Sequence, residues 1–177
     1  MKTDHVIKGV KRYLVPGIII SLFYFIKYRA KISHKAEVDL TRNLELGNDC
    51  VILSFTKVKA FDGPIKIGKR GGIATGCFLA SGAGGIEIGD NFLCSPNVNI
   101  VSINYSYEKK GVHLDDVEKT SKGIKIGDNV WIGAGCTITD GAVIGDNTIV
   151  VANSLVNRRY KNDVIIQGNP GKIILNR

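Results

Sequence analysis

Along the C-terminal third of the chain an aliphatic residue recurs at every sixth position: Ile126, Ile132, Ile138, Ile144, Val150 and Val156. Four positions after each stand Val130, Cys136, Ala142, Thr148, Ser154 and Tyr160, small in all but the first and last. Glycine follows the aliphatic residue at Gly127, Gly133 and Gly145, and Asp-Asn pairs recur at 128–129 and 146–147. This period matches neither the α-helix nor the simple alternation of an ordinary strand. It fits a triangular coil whose every face is one short strand, with the aliphatic side chain pointing into a narrow interior. The small residue then fits beside it near the corner, and Gly, Asn or Asp permits the turn. Three hexads close one coil, and stacked coils bury what each alone would expose.

Upstream the spacing continues with interruptions. Ile67, Ile73 and Leu79 keep it, a glycine-rich slip at Ser81–Gly85 resets it, and Ile88, Cys94 and Ile100 resume. Earlier still, Ile32, Val38 and Leu44 match, followed by Leu46, Ile52 and Val58. The expected organisation is therefore all-β coil over 31–166, with a charged excursion loop at 105–123 and a tail at 167–177. An excursion of that length from a strict repeat points to function. Residues 1–30 carry a different pattern and are expected to form an amphipathic helical cap. Val6, Ile7, Val10, Tyr13 and Leu14 share one helix face, with Lys8, Lys11 and Arg12 off it. Pro16-Gly17 breaks that helix, and a more apolar one is expected from Ile18 to Tyr28.

The chain has 177 residues of which 44% are hydrophobic, a composition with enough apolar mass for one folded domain. Its four cysteines, Cys50, Cys77, Cys94 and Cys136, are dispersed without a C-x-x-C pair. They read as small core residues in a reducing compartment. The net charge of +8 is unevenly placed: residues 1–35 carry +7, residues 36–156 carry −3 and residues 157–177 carry +4. No basic and aromatic signature of a nucleic-acid binder accompanies it, so nucleic acid is not an expected partner. The longest apolar run, Leu14 to Ile26, falls short of the ~20 residues of a spanning helix. The expectation is a cytoplasmic protein. The N-terminal segment either caps the open end of the coil and packs against neighbouring subunits, or rests on an anionic membrane face through Lys8, Lys11, Arg12, Lys27, Arg29 and Lys31 with Phe23, Phe25 and Ile26 in the interface.

Four segments carry a resemblance to a known family: 126–138 (Ile-Gly-Asp-Asn-Val-Trp-Ile-Gly-Ala-Gly-Cys-Thr-Ile), 144–148, 152–156 and 168–173 (Gly-Asn-Pro-Gly-Lys-Ile). From about residue 32 to 174 the sequence resembles the hexapeptide-repeat acyltransferases, in particular the maltose, galactoside and polysaccharide O-acetyltransferase branch. The resemblance implies a left-handed parallel β-helix, a homotrimer, and acetyl-coenzyme A lying between neighbouring helices as co-substrate. It further implies transfer of the acetyl group to a hydroxyl of a sugar acceptor, small or lipid-linked, in surface-polysaccharide or O-antigen assembly. By the same resemblance Ala134, Ala152, Asn157, Arg158 and Lys172 match cofactor-binding positions, and Trp131 matches a tryptophan at the active site that meets the substrate. Independently, small residues at Ala134 and Ala152 would let an extended pantetheine arm lie close to the coil. Arg158, Arg159, Lys161 and Lys172 suit nucleotide phosphates.

Acyl transfer to a hydroxyl calls for a base near neutrality, the usual work of histidine. In the relatives a His opens the charged loop after a segment like Ser95-Pro-Asn-Val-Asn-Ile-Val101, and alignment here puts Tyr105 at that place. A phenol is ordinarily protonated at neutral pH and makes a poor base. The relatives' substrate-orienting Asn also lacks a clear match, with Thr75 or Cys77 falling nearby. His113 lies in the same loop, near Asp115, Asp116 and Glu118. Two readings stay open: His113 acts as base with Tyr105 as hydrogen-bond donor, or the protein is a weak or inactive relative with a binding or assembly role. His5, His34 and His113 are scattered without metal-ligand spacing, so no metal is expected.

Overall fold

In the computed structural model the described residues are 15–60, 62–106, 111, 113 and 116–177. The first expected helix, with His5, lies outside them. The second is observed as α1, Gly17–Tyr28. Pro16, which has no N–H to leave unpaired, stands at its N-cap, and Arg29 ends it in the left-handed region at φ 55°, donating its N–H to the Phe25 carbonyl at 2.8 Å.

From Lys31 onward the chain winds through three flat faces. The first stacks Lys31–Ile32, Val51–Ile52, Gly72–Ile73, Leu93–Cys94, Trp131–Ile132, Ile149–Val150 and Val164–Gln167 in parallel, with Lys172–Asn176 antiparallel at the far edge. The second stacks Glu37–Val38, Lys57–Lys59, Phe78–Ala80, Asn99–Val101, Thr137–Thr139 and Leu155–Val156. The third stacks Leu44–Leu46, Ile65–Ile67, Ile86–Ile88, Ile124–Ile126, Val143–Ile144 and Arg159–Tyr160. Strands this short have no stability alone, and each exists because its neighbours above and below take its hydrogen bonds.

The six-residue ladder read from the sequence is the core. Ile126, Ile132, Ile138, Ile144, Val150 and Val156 are all buried, and so are Val130, Cys136, Ala142, Thr148, Ser154 and Tyr160 beside them. The residue three before each inward aliphatic turns the corner with positive φ: Asn129 at 55°, Gly135 at 70°, Gly141 at 82°, Asn147 at 53° and Asn153 at 60°. Asn and Gly tolerate this region where most side chains clash. At one corner the asparagines also bond to each other between coils, Asn91 to Asn129 at 3.0 Å, Asn129 to Asn147 at 3.2 Å and Asn147 to Asp163 at 3.0 Å. The adjacent carboxylates accept backbone N–H groups of the coil before them, Asp128 from Asp90 and Asp146 from Asp128.

Ile100 sits at the middle of this interior, paired with Leu79 on one side and Ile138 on the other, and is fully buried. Ile100→Ala should lower the unfolding free energy by about 3 kcal/mol, the usual cost of a large-to-small change in a core that cannot collapse. Lys125→Ala, on an exposed ion pair with Glu87 at 3.5 Å, should stay within about 0.5 kcal/mol of wild type in the same denaturant titration.

Candidate functional site

The three outer faces differ in chemistry. On the third face Glu45, Lys66, Glu87 and Lys125 follow one another outward, with ion pairs Lys66–Glu45 at 3.8 Å and Lys125–Glu87 at 3.5 Å. That face is made for water. On the first face the outward register starts at Lys31 and from there runs through Val51, Gly72, Leu93, Trp131, Ile149 and Ile165 without a further charge. Trp131 is its centre. The indole is 47% exposed, lies between Leu93 and Ile149, and donates its N–H to Ser95 Oγ at 3.0 Å, which fixes the ring's direction.

Past Trp131 the chain turns from the first face to the second through Gly133-Ala134-Gly135. Ala134 and Ala152 are exposed and stack in successive coils: the Gly135 N–H donates to Pro96 O at 3.1 Å and the Asn153 N–H to Ala134 O at 2.9 Å. A Cβ on Gly133 would come 2.9 Å from both Ala152 Cα and Val150 O, so Gly133 can carry no side chain, and its exposed neighbours Ala134 and Ala152 are small. This edge runs on into the turn at Gly168, whose N–H donates to Ser154 Oγ at 3.0 Å. There the basic groups gather. Arg158 donates to Gly171 O at 3.1 Å with its guanidinium 6.0 Å from the Tyr160 ring, and the Tyr160 hydroxyl donates to the same carbonyl at 2.8 Å. Asn157 and Lys172 are exposed on either side. The structure thus stacks Ala134 and Ala152 along one edge with Trp131 beside it, and sets Arg158 at the next corner, after Leu155–Val156, from which it reaches Gly171, the residue before Lys172.

Tyr105 and His113 lie elsewhere. The excursion leaves the second face after Val101 and returns at Ile124, with Asn104–Tyr105 antiparallel to Lys119–Thr120. Its base is tied by Ser121 Oγ to Ser102 O at 2.5 Å and by Lys119 to Asp62 at 3.4 Å. Tyr105 is half exposed, and His113 is exposed with its carbonyl accepting the Asp116 N–H at 2.9 Å. Asp115 lies outside the described residues. Of the two substitutes for the missing Asn, Cys77 points inward, its sulfur 3.7 Å from Cys94 and 3.2 Å from Ser95 O. The hydrogen bond shared with Cys77 and burial push the Cys94 thiol well above the usual range. Thr75 is at the surface corner, its carbonyl accepting the Asn97 N–H at 3.1 Å. His34 is exposed in the first coil, and among the described residues no group of three or more His, Cys, Asp or Glu could hold a metal ion. Ser95, Tyr160 and Gly171 are the site's supports that sequence reading missed.

The bacterial transferase hexapeptide family (six repeats) matches residues 123–158, the segment holding Trp131, Ala134, Ala152, Asn157 and Arg158. The chain carries that hexapeptide repeat. Galactoside O-acetyltransferase of Escherichia coli K12 is 36% identical over 93 residues, 50% of this chain and 43% of that protein. The chain thus spans less than half the length of the curated relatives it matches. AntD, an N-acyltransferase from Bacillus cereus solved with dTDP and 3-hydroxybutyryl-CoA, superposes with a TM-score of 0.75 at 23% identity, covering 88% of this chain and 87% of AntD. PerB from Caulobacter crescentus, solved with CoA and GDP-perosamine, superposes with a TM-score of 0.57 at 20% identity, covering 81% of this chain and 56% of PerB. The hexapeptide-repeat coil is a left-handed parallel β-helix, as the repeat and these likenesses agree.

Proposed function

We propose that this chain is an acetyltransferase that moves an acetyl group from acetyl-CoA to a sugar hydroxyl in surface-polysaccharide or O-antigen assembly, working as a homotrimer on the cytoplasmic side. The observation that carries the reading is the edge of small residues at Ala134 and Ala152 beside a fixed Trp131, with Arg158 and Lys172 near the end of the coil beyond it. An edge of small residues suits an extended pantetheine arm, and cations beyond it suit phosphates. Acetyl-CoA supplies an activated acyl group as a thioester. The chain's own residues would do the rest. Trp131 offers an aromatic surface to the acceptor, and His113 takes the hydroxyl proton as the new C–O bond forms and the C–S bond breaks. That proton then passes to the departing thiolate, while Tyr105 donates to the oxygen that gains charge.

The trimer is part of the reading because Trp131 and the edge of small residues lie on one side of the prism while the loop with Tyr105 and His113 leaves from another corner. Packing the apolar stretch of the first face, Val51 to Ile165, of one chain against the next would complete the site from two subunits. A second reading, a binding or assembly protein without turnover, is favoured by Tyr105 at the place where the relatives carry His.

The deciding experiment is calorimetric titration with acetyl-CoA followed by an acetyl-CoA consumption assay over a panel of sugar acceptors. Ala134→Trp fills the edge from an exposed position and should weaken CoA binding at least about tenfold without changing the circular dichroism. Equal affinity in the variant would remove the edge from the site. Binding without turnover on any acceptor would select the second reading.

A further inference from the structure

Helix α1 has two sides that differ completely in what they meet. Tyr24 is buried with its hydroxyl donating to Asp39 O at 2.8 Å, while Ile20 and Tyr28 pack on the core and Gly17 lies against the His34 carbonyl. Opposite them Ile18, Ile19, Leu22, Phe23, Phe25 and Ile26 are exposed, from 42% for Phe23 to 75% for Ile26. At ~100° per residue these six fill one continuous arc of the helix surface. Exposing six large apolar side chains on twelve residues is far outside the scatter of single apolar residues on ordinary surfaces.

We infer that this face of α1 is an in-plane anchor for an anionic lipid bilayer. Charge selects the occupant. Helix α1 contains no acidic residue, Lys27, Lys31 and Lys35 are exposed on and after it, and residues 1–35 together carry +7. The patch extends onto the coil, where Phe23, Lys27, Leu40 and Arg42 line one shallow cavity, again pairing apolar with basic. Length selects the mode. Twelve residues make a helix of roughly 18 Å against a hydrocarbon core of about 30 Å, so α1 lies in the interface instead of crossing it. Among the described residues no helix is long and apolar enough to cross a membrane. This anchor stands independently of the acetyl-transfer reading and would bring the protein to amphiphilic acceptors whatever their sugar.

The test is vesicle flotation with the full chain. Wild type should rise with phosphatidylcholine vesicles containing about one-third phosphatidylglycerol and not with phosphatidylcholine alone, and salt should weaken the association. Leu22→Asp/Ile26→Asp removes two exposed side chains and should cut partitioning roughly a hundredfold with thermal unfolding unchanged. Turnover on a soluble acceptor, where wild type shows it, should be the same in the variant, which separates this proposal from the catalytic one. Should the double variant fail to fold, Lys31→Glu/Lys35→Glu carries the test, with loss of flotation expected. Wild type left at the bottom with anionic vesicles, a variant that floats like wild type, or a variant with a smaller particle mass in light scattering would overturn the anchor, the last by making the face a contact between subunits.

Discussion

Gly127→Ala is expected to destabilise the fold by about 3 kcal/mol, near the top of the range for forcing extra atoms into a packed site. Gly127 follows the inward Ile126 at the corner leaving the third face. A Cβ there would come 2.8 Å from the Asp146 backbone nitrogen and press still closer on the Asp146 carboxylate. That carboxylate is not free to give way, because its Oδ1 accepts the Asp128 N–H at 2.8 Å. The methyl therefore either pushes two coils apart or leaves a backbone donor without its partner. Gly68, Gly89 and Gly145 meet the next coil in the same manner, so the requirement belongs to the stacking and not to one turn. Gly72 supplies the contrast. It points outward on the first face, and its Cβ would meet Leu93 Cδ1 at 3.3 Å and Phe92 O at 3.8 Å. Gly72→Ala should therefore stay within about 0.5 kcal/mol of wild type. Equal midpoints for the two variants in denaturant would show that coil stacking does not set the glycine positions.

The same stacking explains which parts of the molecule could be read from sequence. Ile126 to Val156 forms a six-residue ladder because every face there contributes one inward aliphatic residue. In the coils before it the third face contributes two: Leu44 with Leu46, Ile65 with Ile67, Ile86 with Ile88, and Ile124 with Ile126, each pair buried. The apparent restart at Leu46 and the slip at Ser81–Gly85 are this longer face and its corner, and they are regular. Val51 pairs with Lys31, Gly72 with Val51 and Leu93 with Gly72, a longer repeat than the later pairing of Trp131 with Ile149.

Site details were harder for a related reason. Trp131 was visible as a lone tryptophan, but Ser95, which holds its N–H, is 36 positions away and becomes a neighbour only through the Leu93–Trp131 register. The Glu–Lys ladder of the third face hides for the same cause, since its partners are a whole coil apart. Phe55 breaks a rule that its column otherwise keeps: it takes φ 63° where Gly76, Asn97, Gly135 and Asn153 stand in later coils. The excursion loop carries no periodicity, so nothing in its residue types assigned Tyr105 and His113 to a corner. The strand pairing of Tyr105 with Lys119 did that.

His113→Ala should lower acetyl-CoA-dependent acylation of a sugar acceptor by about 10² to 10⁴-fold, the range of a lost general base, while CoA affinity stays unchanged. His34 is exposed in the first coil, at the opposite end of the stack from Ala152 and Arg158, whereas His113 and Tyr105 share the arm anchored by Ser121 and Lys119. Tyr105→Phe, which removes only a donor, should cost less, on the order of tenfold. Tyr105→His tests the arm from the other side by placing there the residue that the family resemblance implies. If His113 is the base, the second imidazole adds little to wild type and rescues part of the His113→Ala loss. If the arm has no working base, His113→Ala equals wild type and Tyr105→His alone raises the rate. Equal rates in wild type and His113→Ala would remove the base assignment, and a rise on Tyr105→His would then place the lesion at that single position.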